Sequence, residues 1–225
     1  MMVLATNSAW DTHFAISVLP DLLKAFVKVT LVLTVVGSVI AAVVGLIFAV
    51  IRRARVPVLS QLVTVFIEFV RSTPIPVQMV FLFYVLPEIG PTLSAMTVAI
   101  WTLGLHYACY YAEVYRAGIE GVPTAQWEAC RALSLSPLHT WRLVILPQAI
   151  RSVLPALGNY VISMFKEVPF VVVLSIPDLV QTATNVGGES FRYVEPLTIA
   201  GLIFLAASYP AAVAMRKLEK RLEHP

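Results

Sequence analysis

The sequence predicts an all-α, polytopic membrane protein with about five transmembrane helices, and three observations support this prediction. The chain of 225 residues is 59% hydrophobic, and only 13% of its residues are charged, which is about half of the share usual in soluble domains. Its mean hydropathy is +0.83. Five apolar runs each reach roughly 20 residues or more, the length that an α-helix needs to cross a hydrocarbon core about 30 Å thick.

Short connections separate the five apolar runs, so no separate soluble domain fits between them. We therefore expect a single transmembrane domain over residues 1–225. The first run is too long for the apolar part of a cleavable signal peptide, and residues 1–20 contain no lysine or arginine. The predicted spans cover residues 22–51, 59–86, 93–117, 150–176 and 195–215.

Basic residues are distributed unevenly between the two sides of the predicted bundle. They cluster after span one, around the connection between spans three and four, and after span five, whereas only Lys24, Lys28 and Arg192 fall near the other side. Because cytoplasmic loops carry an excess of positive charge, we expect the N-terminus outside and the C-terminus in the cytoplasm. The net charge of +3 reflects this bias and does not indicate nucleic-acid binding. The clustered residues are Arg52, Arg53, Arg55, Arg116, Arg131, Arg142, Arg151, Arg216, Lys217, Lys220 and Arg221.

The connection between spans three and four, residues 120–147, is charged and amphipathic. Pro137 should interrupt any helix there because proline lacks an amide hydrogen, and Ser134 or Ser136 can cap the helix that follows. A short two-faced helix outside the bilayer suits docking into a groove of another protein, although composition alone slightly favours a helix lying flat on lipid. Its apolar face would hold Ala129, Ala132 and Leu133, with Glu128 and Arg131 offset from them.

Within this connection, Glu128-Ala129-Cys130 is followed after three residues by Ser134, and after nine more by Val144-Ile145-Leu146-Pro147. The spacing resembles the EAA loop of ABC-importer permeases: Glu-Ala-Ala, three residues, Gly, nine residues and Ile-x-Leu-Pro. Cys130 and Ser134 depart from that pattern, and the loss of glycine narrows the backbone freedom at the bend. In that family the loop is a coupling helix that sits in a groove of the ATP-binding subunit. The resemblance therefore implies a coupling role for Glu128, Ala129, Arg131 and Ser134.

The resemblance covers nearly the whole chain. The stretches "EFVRSTPIPVQMVFLFYVLP", "YYAEVYRAGIEGVPTAQWEA", "LPQAIRSVLPALGNY" and "FKEVPFVVVLSIPDLV" look like corresponding parts of the polar amino-acid uptake permeases. Ser72 stands where glycine is common in that family. The stretches "FLFYVLPEIG", "LGLHY" and "ESFRYVEPLT" are most similar to permeases for ectoine and hydroxyectoine. We expect a small, polar, zwitterionic cargo, with ectoine or hydroxyectoine first and a polar amino acid next. Glu68 and Glu167 would meet its cationic group, and Lys166 would meet its carboxylate.

The sequence contains no motif for ATP hydrolysis or other catalysis. It has no Gly-x-x-x-x-Gly-Lys-Ser/Thr run, no His-Glu-x-x-His and no Gly-x-Ser-x-Gly, and its four histidines lack the spacing of a metal site. We expect no catalytic, cofactor-binding or metal-binding residue in this chain, with ATP and magnesium held by a separate ATP-binding cassette subunit. The resemblance further implies an inner-membrane location, a second permease (a sister chain or a copy of itself) and an extracytoplasmic solute-binding protein.

Ionisable residues in span two are candidates for a translocation path. A charge at depth is costly, so it usually faces the bundle interior or a water-filled cavity. Glu68 and Arg71 are three residues apart and could pair on one helix face. Pro74 and Pro76 follow, and a broken helix there would free carbonyl groups to line a cavity. The resemblance favours Glu68 near the substrate, and the alternative is a structural ion pair.

Spans three and four contribute further candidates. Lys166 and Glu167 stand where the resembled family often has Lys-Asp-Thr-Ser-Leu, so "KEVPF" keeps the charge pair and loses the hydroxyl groups. The resemblance favours both residues near the substrate, with structural ion pairing as the alternative. Tyr107 or Tyr110 could stack against a planar ring or a delocalised cation, although tyrosines within a span more often serve in core packing or the interface belt.

Two other patterns indicate helix packing and gating. Gly37, Ala41 and Gly45 form a ridge of small residues in span one, which predicts close helix packing. Glu113 and Arg116 lie near the cytoplasmic end of span three and are predicted to form a gate or a structural pair.

A self-sufficient secondary carrier, channel subunit or intramembrane enzyme is the alternative class of function. Secondary carriers often contain internal repeats, and no convincing repeat is present here. Five spans in one chain also suit alternating access poorly. The EAA-like loop is the feature that distinguishes the two classes, and it favours the permease subunit of an ATP-driven importer.

Overall fold

A computed structural model of the chain describes residues 10–223, and every regular element within that range is helical. The predicted all-α class is therefore confirmed. By length and apolar composition, three helical stretches of the described part can cross a membrane, or four if a bent pair of helices forms one span. These stretches are Thr12–Ala54, Pro137–Leu174, Val194–Leu222 and the pair Leu59–Arg71 with Ile75–Glu88.

The α-helices are numbered in chain order. Short π-helical turns (Phe26–Thr30, Phe81–Val85, Thr140–Ile145) and 3-10 turns (Leu86–Glu88, Val168–Leu174) extend neighbouring helices. The α-helices are α1 Thr12–Ala25, α2 Leu31–Ala54, α3 Leu59–Arg71, α4 Ile75–Val80, α5 Ala95–Glu120, α6 Thr124–Ala132, α7 Pro137–His139, α8 Leu146–Glu167, α9 Leu179–Ser190 and α10 Val194–Glu223.

The first span is longer than predicted. α1, a π-helical turn and α2 form one continuous helix of 43 residues, about 65 Å long at about 1.5 Å per residue. The helix begins at Thr12, not near residue 22, because the Asp11 carboxylate caps it by accepting a hydrogen bond from the Phe14 amide at 3.1 Å. The predicted start of this helix lies ten residues too far along the chain, because an average of hydropathy does not detect a polar capping residue.

The second span is broken near its middle. α3 ends at Arg71, and the helical stretch that begins at Ile75 leaves it at an angle of 108°. Pro74 has an extended ψ of 140°, and neither Pro74 nor Pro76 has an amide hydrogen to continue the helix. The break predicted from these two prolines is therefore present.

The third predicted span corresponds to α5, the central helix of the bundle. It packs along α2 and also contacts α3, α4 and α8. His106 and several tyrosines make it less apolar than the other spans. Its 26 residues extend about 39 Å, which is long enough to cross the hydrocarbon core.

Close packing between α2 and α5 depends on the predicted ridge of small residues. Ala41 is fully buried. A Cβ atom placed on Gly45 would lie 2.7 Å from the Tyr111 Cβ atom and 2.8 Å from the Ala108 carbonyl oxygen. Gly37 faces both α8 and α5, because a Cβ atom there would lie 2.9 Å from the Met164 sulfur and 3.6 Å from the Leu103 Cβ atom. Gly45 therefore sets how closely α2 and α5 approach.

One helix of the structure, α9, was not predicted from the sequence. α9 lies in the connection between the last two spans, and Asp178 caps it by accepting hydrogen bonds from the amides of Val180 at 3.3 Å and Gln181 at 2.9 Å. Asp178 followed three residues later by Gln181 matches the pattern of a capping box. The signal was therefore present in the sequence.

An ion cluster joins the first and last spans at the end of the bundle that holds α9. Arg192 lies 3.3 Å from the Asp11 carboxylate and also pairs with Glu195. The Asp11 amide donates a hydrogen bond to Glu195 Oε1 at 2.9 Å. The Phe14 amide, together with the charge of Arg192, holds the pKa of the Asp11 carboxyl below its ordinary value. These contacts fix the start of α1 against the start of α10.

The crowding at Gly45 leads to a stability prediction. Gly45→Ala should lower the free energy of unfolding by about 1–3 kcal/mol, because the added methyl group pushes against the backbone of α5. Thermal unfolding of the detergent-solubilised protein measures the change. Gly201→Ala on α10 is the matched control, because no described atom lies within 4 Å of the added methyl group. Equal stability of the two variants would contradict the prediction.

Candidate functional site

The break between α3 and α4 opens a cavity of about 450 Å³. α5 and the end of α8 complete its walls, so four parts of the bundle meet around it. Its polar lining includes a cation and an anion from different helices. The lining residues are Arg71, Ser72, Thr73, Pro74, Ile75, Pro76, His106, Tyr110, Glu167 and Phe170.

A glutamine stabilises the broken backbone beside this cavity. The Gln78 amide nitrogen donates hydrogen bonds to the carbonyl oxygens of Val70 at 2.8 Å and Thr73 at 3.0 Å. It also lies 3.1 Å from Nδ1 of the buried His106. Pro74 has no amide hydrogen to offer the Val70 carbonyl, which also accepts a longer bond of 3.3 Å from the Thr73 amide. The side-chain amide therefore adds a donor where the helix ends. Neither Gln78 nor His106 was predicted to belong to the site, although each is a polar residue inside an apolar run.

Arg71 supplies the cation of the cavity. Its guanidinium lies over the Tyr110 ring, 5.2 Å from the ring centre. It is 3.7 Å from the carboxylate of Glu68 and 4.0 Å from that of Glu113. The buried Arg71 Nε atom has no hydrogen-bond acceptor among the described residues. Because the Arg71 side chain as a whole is 34% exposed, a bound carboxylate could reach its guanidinium group.

Glu167 supplies the anion. The buried Tyr107 hydroxyl donates a hydrogen bond to Glu167 Oε2 at 2.8 Å, which holds the carboxylate in place at the end of α8. Tyr107 thus acts on the cavity through Glu167, whereas Tyr110 lines it directly. Both tyrosines also pack against Tyr160.

Two other residues predicted for the substrate path lie elsewhere. The Glu68 side chain is 61% exposed and is not part of the cavity lining. Lys166 is exposed and is also absent from the lining, although it precedes Glu167 in the chain. The structure thus brings Arg71, Tyr110 and Glu167 together around the cavity, with Tyr107 behind Glu167.

An ion cluster lies between this cavity and the end of the bundle that holds Arg52 and α6, which we call the basic end. Glu113 on α5 pairs with Arg52 of α2, contacts Arg116 at 2.7 Å and lies 4.0 Å from Arg71. These four residues form the Glu113 cluster. It connects α2, α3 and α5 directly beneath the cavity.

The EAA-like stretch forms a short exposed helix, α6, and a turn. Glu128, Ala129 and Arg131 are all exposed, and Leu133 after the helix is 72% exposed. Ser134 has φ of 50°, in the left-handed region that favours glycine. Ser136 is the residue that caps the following helix, as one of the two predicted alternatives. The solvent-facing surface of α6 is therefore available for a partner.

Aromatic residues attach this segment to the bundle. The rings of Trp127 on α6 and Trp141 pack edge to face with their centres 5.4 Å apart. The Arg53 guanidinium lies 4.7 Å from the Trp141 ring centre and 5.4 Å from that of Trp127. We call these three residues the Arg53–tryptophan stack. It connects α6 to the end of α2.

Comparison with known proteins agrees with this architecture. Residues 17–224 match the family described as "Binding-protein-dependent transport system inner membrane component". A probable amino-acid ABC transporter permease of Sinorhizobium fredii is 41% identical over 218 residues, which cover 95% of this chain and 94% of that protein. A probable glutamine ABC transporter permease of Bacillus subtilis is 34% identical over 196 residues, 86% of this chain and 90% of that protein.

Solved structures show the same fold. "Crystal structure of an amino acid ABC transporter with histidines" describes a chain that is 31% identical to this one, with a TM-score of 0.88, covering 94% of this chain and 99% of that chain. The MetNI methionine ABC transporter in an inward-facing conformation has a TM-score of 0.71 at 20% identity, with 89% and 96% covered, and is similar in fold.

The left-handed backbone at Ser134 leads to a second prediction. Ser134→Gly should stabilise the protein by about 1 kcal/mol, because glycine adopts this conformation without the steric cost of a Cβ atom. Thermal unfolding measures the change. Ser136→Ala, two residues away, should instead lower the free energy of unfolding by about 1 kcal/mol. Ser136 has an ordinary negative φ, and the substitution removes the side chain that caps the following helix. A loss of stability in both variants would contradict the strain at Ser134.

Proposed function

We propose that this chain carries a small polar zwitterion. The chain belongs to the family of binding-protein-dependent transport system inner membrane components, and it is the permease subunit of an amino-acid ABC importer. The observation that carries the proposal is the pair of opposite charges, Arg71 and Glu167, in one cavity at a helix break. The cavity volume of about 450 Å³ lies within the range of small-molecule sites.

Each charged group of a zwitterion has a counterpart in the cavity. A carboxylate can bind the guanidinium of Arg71, which lines the cavity and whose side chain is 34% exposed. An ammonium or amidinium group can bind Glu167, which Tyr107 holds in place. Tyr110 can cover the face of a planar cationic group, a contact worth about 0.5–2 kcal/mol.

Two kinds of zwitterion fit this chemistry: a polar amino acid, and ectoine or hydroxyectoine. The relatives described above are named for amino acids or for glutamine, which supports the first. The local resemblance to ectoine permeases supports ectoine or hydroxyectoine. One of the resembling stretches, "LGLHY", contains His106, which lines the cavity. The "ESFRYVEPLT" stretch contributes Arg192 and Glu195 to the ion cluster between α1 and α10, where they have a structural role. Only part of the ectoine-like sequence therefore bears on the cargo.

The proposed orientation places the basic end in the cytoplasm and the N-terminus outside, in agreement with the distribution of lysine and arginine. Family membership implies an ATPase and a partner permease. We propose that the ATP-binding cassette subunit, which holds ATP and magnesium, docks on α6 through Glu128, Ala129, Arg131 and the turn at Ser134. An extracytoplasmic binding protein would deliver the cargo at the opposite end.

The Glu113 cluster is proposed to close the path between the cavity and the cytoplasm. Its longest contact, 4.0 Å, joins Glu113 to Arg71, whereas Arg116 lies 2.7 Å from Glu113. Separation of Arg71 from Glu113 would open the floor of the cavity, while Glu113 stays paired with Arg52 and Arg116. A cargo carboxylate can also replace Glu113 as a partner of Arg71.

The cargo proposal predicts a difference between two neighbouring residues. Glu167→Gln should lower uptake by at least about tenfold, because a hydrogen bond to a charged group contributes about 1.5–3 kcal/mol. Lys166→Gln is the matched control and should have little effect, because Lys166 does not line the cavity. Uptake of labelled ectoine, arginine, glutamine and glutamate by the reconstituted complex measures both. If only a sugar, peptide or metal ion is carried, or if the two variants transport equally, the cargo proposal is wrong.

The docking proposal predicts the effect of reversing one charge on α6. Glu128→Lys should weaken binding of the ATP-binding subunit by at least about tenfold, because partly buried charge pairs at interfaces contribute several kcal/mol, about 2–5. Copurification and ATP-driven uptake measure the effect. Glu219→Lys, an exposed position on α10, is the control for the change in charge. Normal copurification and transport by Glu128→Lys would exclude a coupling role for this residue.

A further inference from the structure

The basic end of the bundle contains a second cavity, of about 530 Å³. It lies at the ends of α2, α3 and α5. The Glu113 cluster separates it from the first cavity, because Glu113 contacts Arg71 above and two arginines of the second cavity below. Glu120 is the single carboxylate of its lining, against the four arginines Arg52, Arg53, Arg55 and Arg116.

Nearby carboxylates neutralise only part of the charge of these arginines. Arg52 and Arg116 share Glu113, and Arg116 also contacts Glu120 at 2.6 Å. Within residues 10–223, neither Arg53 nor Arg55 has a carboxylate within 4.0 Å. Arg53 packs on two tryptophan rings, and Arg55 is exposed at the end of α2. The cavity therefore carries an excess of positive charge.

Exposed apolar side chains lie at the same helix ends, although they are not part of the lining. Val50 and Val56 follow the lining residues Ala49 and Arg55, and Leu59 and Leu62 lie within two residues of Ser60. We call these four residues the apolar border. All four are at least 45% exposed. A cationic cavity with an exposed apolar border matches a molecule that has an anionic head and apolar chains.

We propose that this cavity binds a phosphate group, and that the group belongs to an anionic phospholipid of the inner leaflet. The planar guanidinium of arginine binds phosphate oxygens in pairs, and basic pockets between transmembrane helices on the cytoplasmic side bind anionic headgroups. A free phosphate ion would use the arginines alone, whereas a lipid also covers the apolar border. The assignment to the inner leaflet rests on the orientation given under the proposed function.

Lipid binding to the purified complex in an uncharged detergent tests the site. Native mass spectrometry counts the bound lipids during titration with phosphatidylglycerol or phosphatidylcholine, and competition with inorganic phosphate tests the free ion. Arg55→Asn should weaken phosphatidylglycerol binding about fivefold, and Arg55→Asp by about fivefold more, in line with the effect of one charge near an anionic lipid. Asparagine and aspartate both tolerate the left-handed backbone at this position, where Arg55 has φ of 50°. Thr64→Asp introduces a negative charge at a second position of the lining, and Arg216→Asn on α10 is the control.

The proposal is supported if one phosphatidylglycerol per permease binds in preference to phosphatidylcholine and the cavity variants weaken it while Arg216→Asn does not. Equal binding of both lipids, or unchanged binding in the Arg55 and Thr64 variants, overturns it. If inorganic phosphate displaces phosphatidylglycerol at equal concentration, the site holds a free anion and the lipid assignment is wrong. Because this assay needs neither cargo nor ATP, its failure is distinguishable from failure of the proposed transport function.

Discussion

The break in the second span imposes the constraint on which the rest of the site depends. Backbone carbonyl groups that lose their helical partners inside a membrane cost several kcal/mol each unless another donor replaces them. Gln78 provides that donor to Val70 and Thr73, so the chain can turn by 108° beside Pro74. The turn opens the cavity and leaves Arg71 in the last turn of α3, where the helix dipole favours a cation.

Two adjacent residues at the end of α2 link the cavity to the exposed helix α6. Arg52 pairs with Glu113, which approaches Arg71 at the floor of the cavity. Arg53 packs on Trp127 and Trp141, which hold α6 against the bundle. Because a helix end moves as a unit, displacement of α6 by a docked partner would reach both the Arg53–tryptophan stack and the Glu113 cluster. The contacts thus connect α6, the proposed docking helix, with the floor of the cavity by a short physical route.

Features that depend on composition and spacing could be predicted from the sequence, whereas features that depend on three-dimensional register could not. The apolar runs predicted the spans, the two prolines predicted the break, and the small residues predicted the packing of α2 on α5. Caps at Asp11 and Asp178 were overlooked because they are local polar signals outside the apolar runs. The role of Gln78 was overlooked because its acceptors become free only once the helix is broken. Arg71 was identified, but its ring contact with Tyr110 requires the crossing of α3 and α5.

The pair Lys166 and Glu167 shows why register decides the chemistry of the cavity. Neighbouring residues on an α-helix point about 100° apart, so a single wall cannot easily receive both side chains. Glu167 faces the cavity and is held there by Tyr107, while the long side chain of Lys166 is exposed. The complementary cation therefore comes from another helix, as Arg71 of α3. A zwitterion bound between these charges, as proposed, would bridge α3 and α8, and any motion that separates the two helices would weaken both charge contacts together. A transport path needs this property, because it must release what it binds.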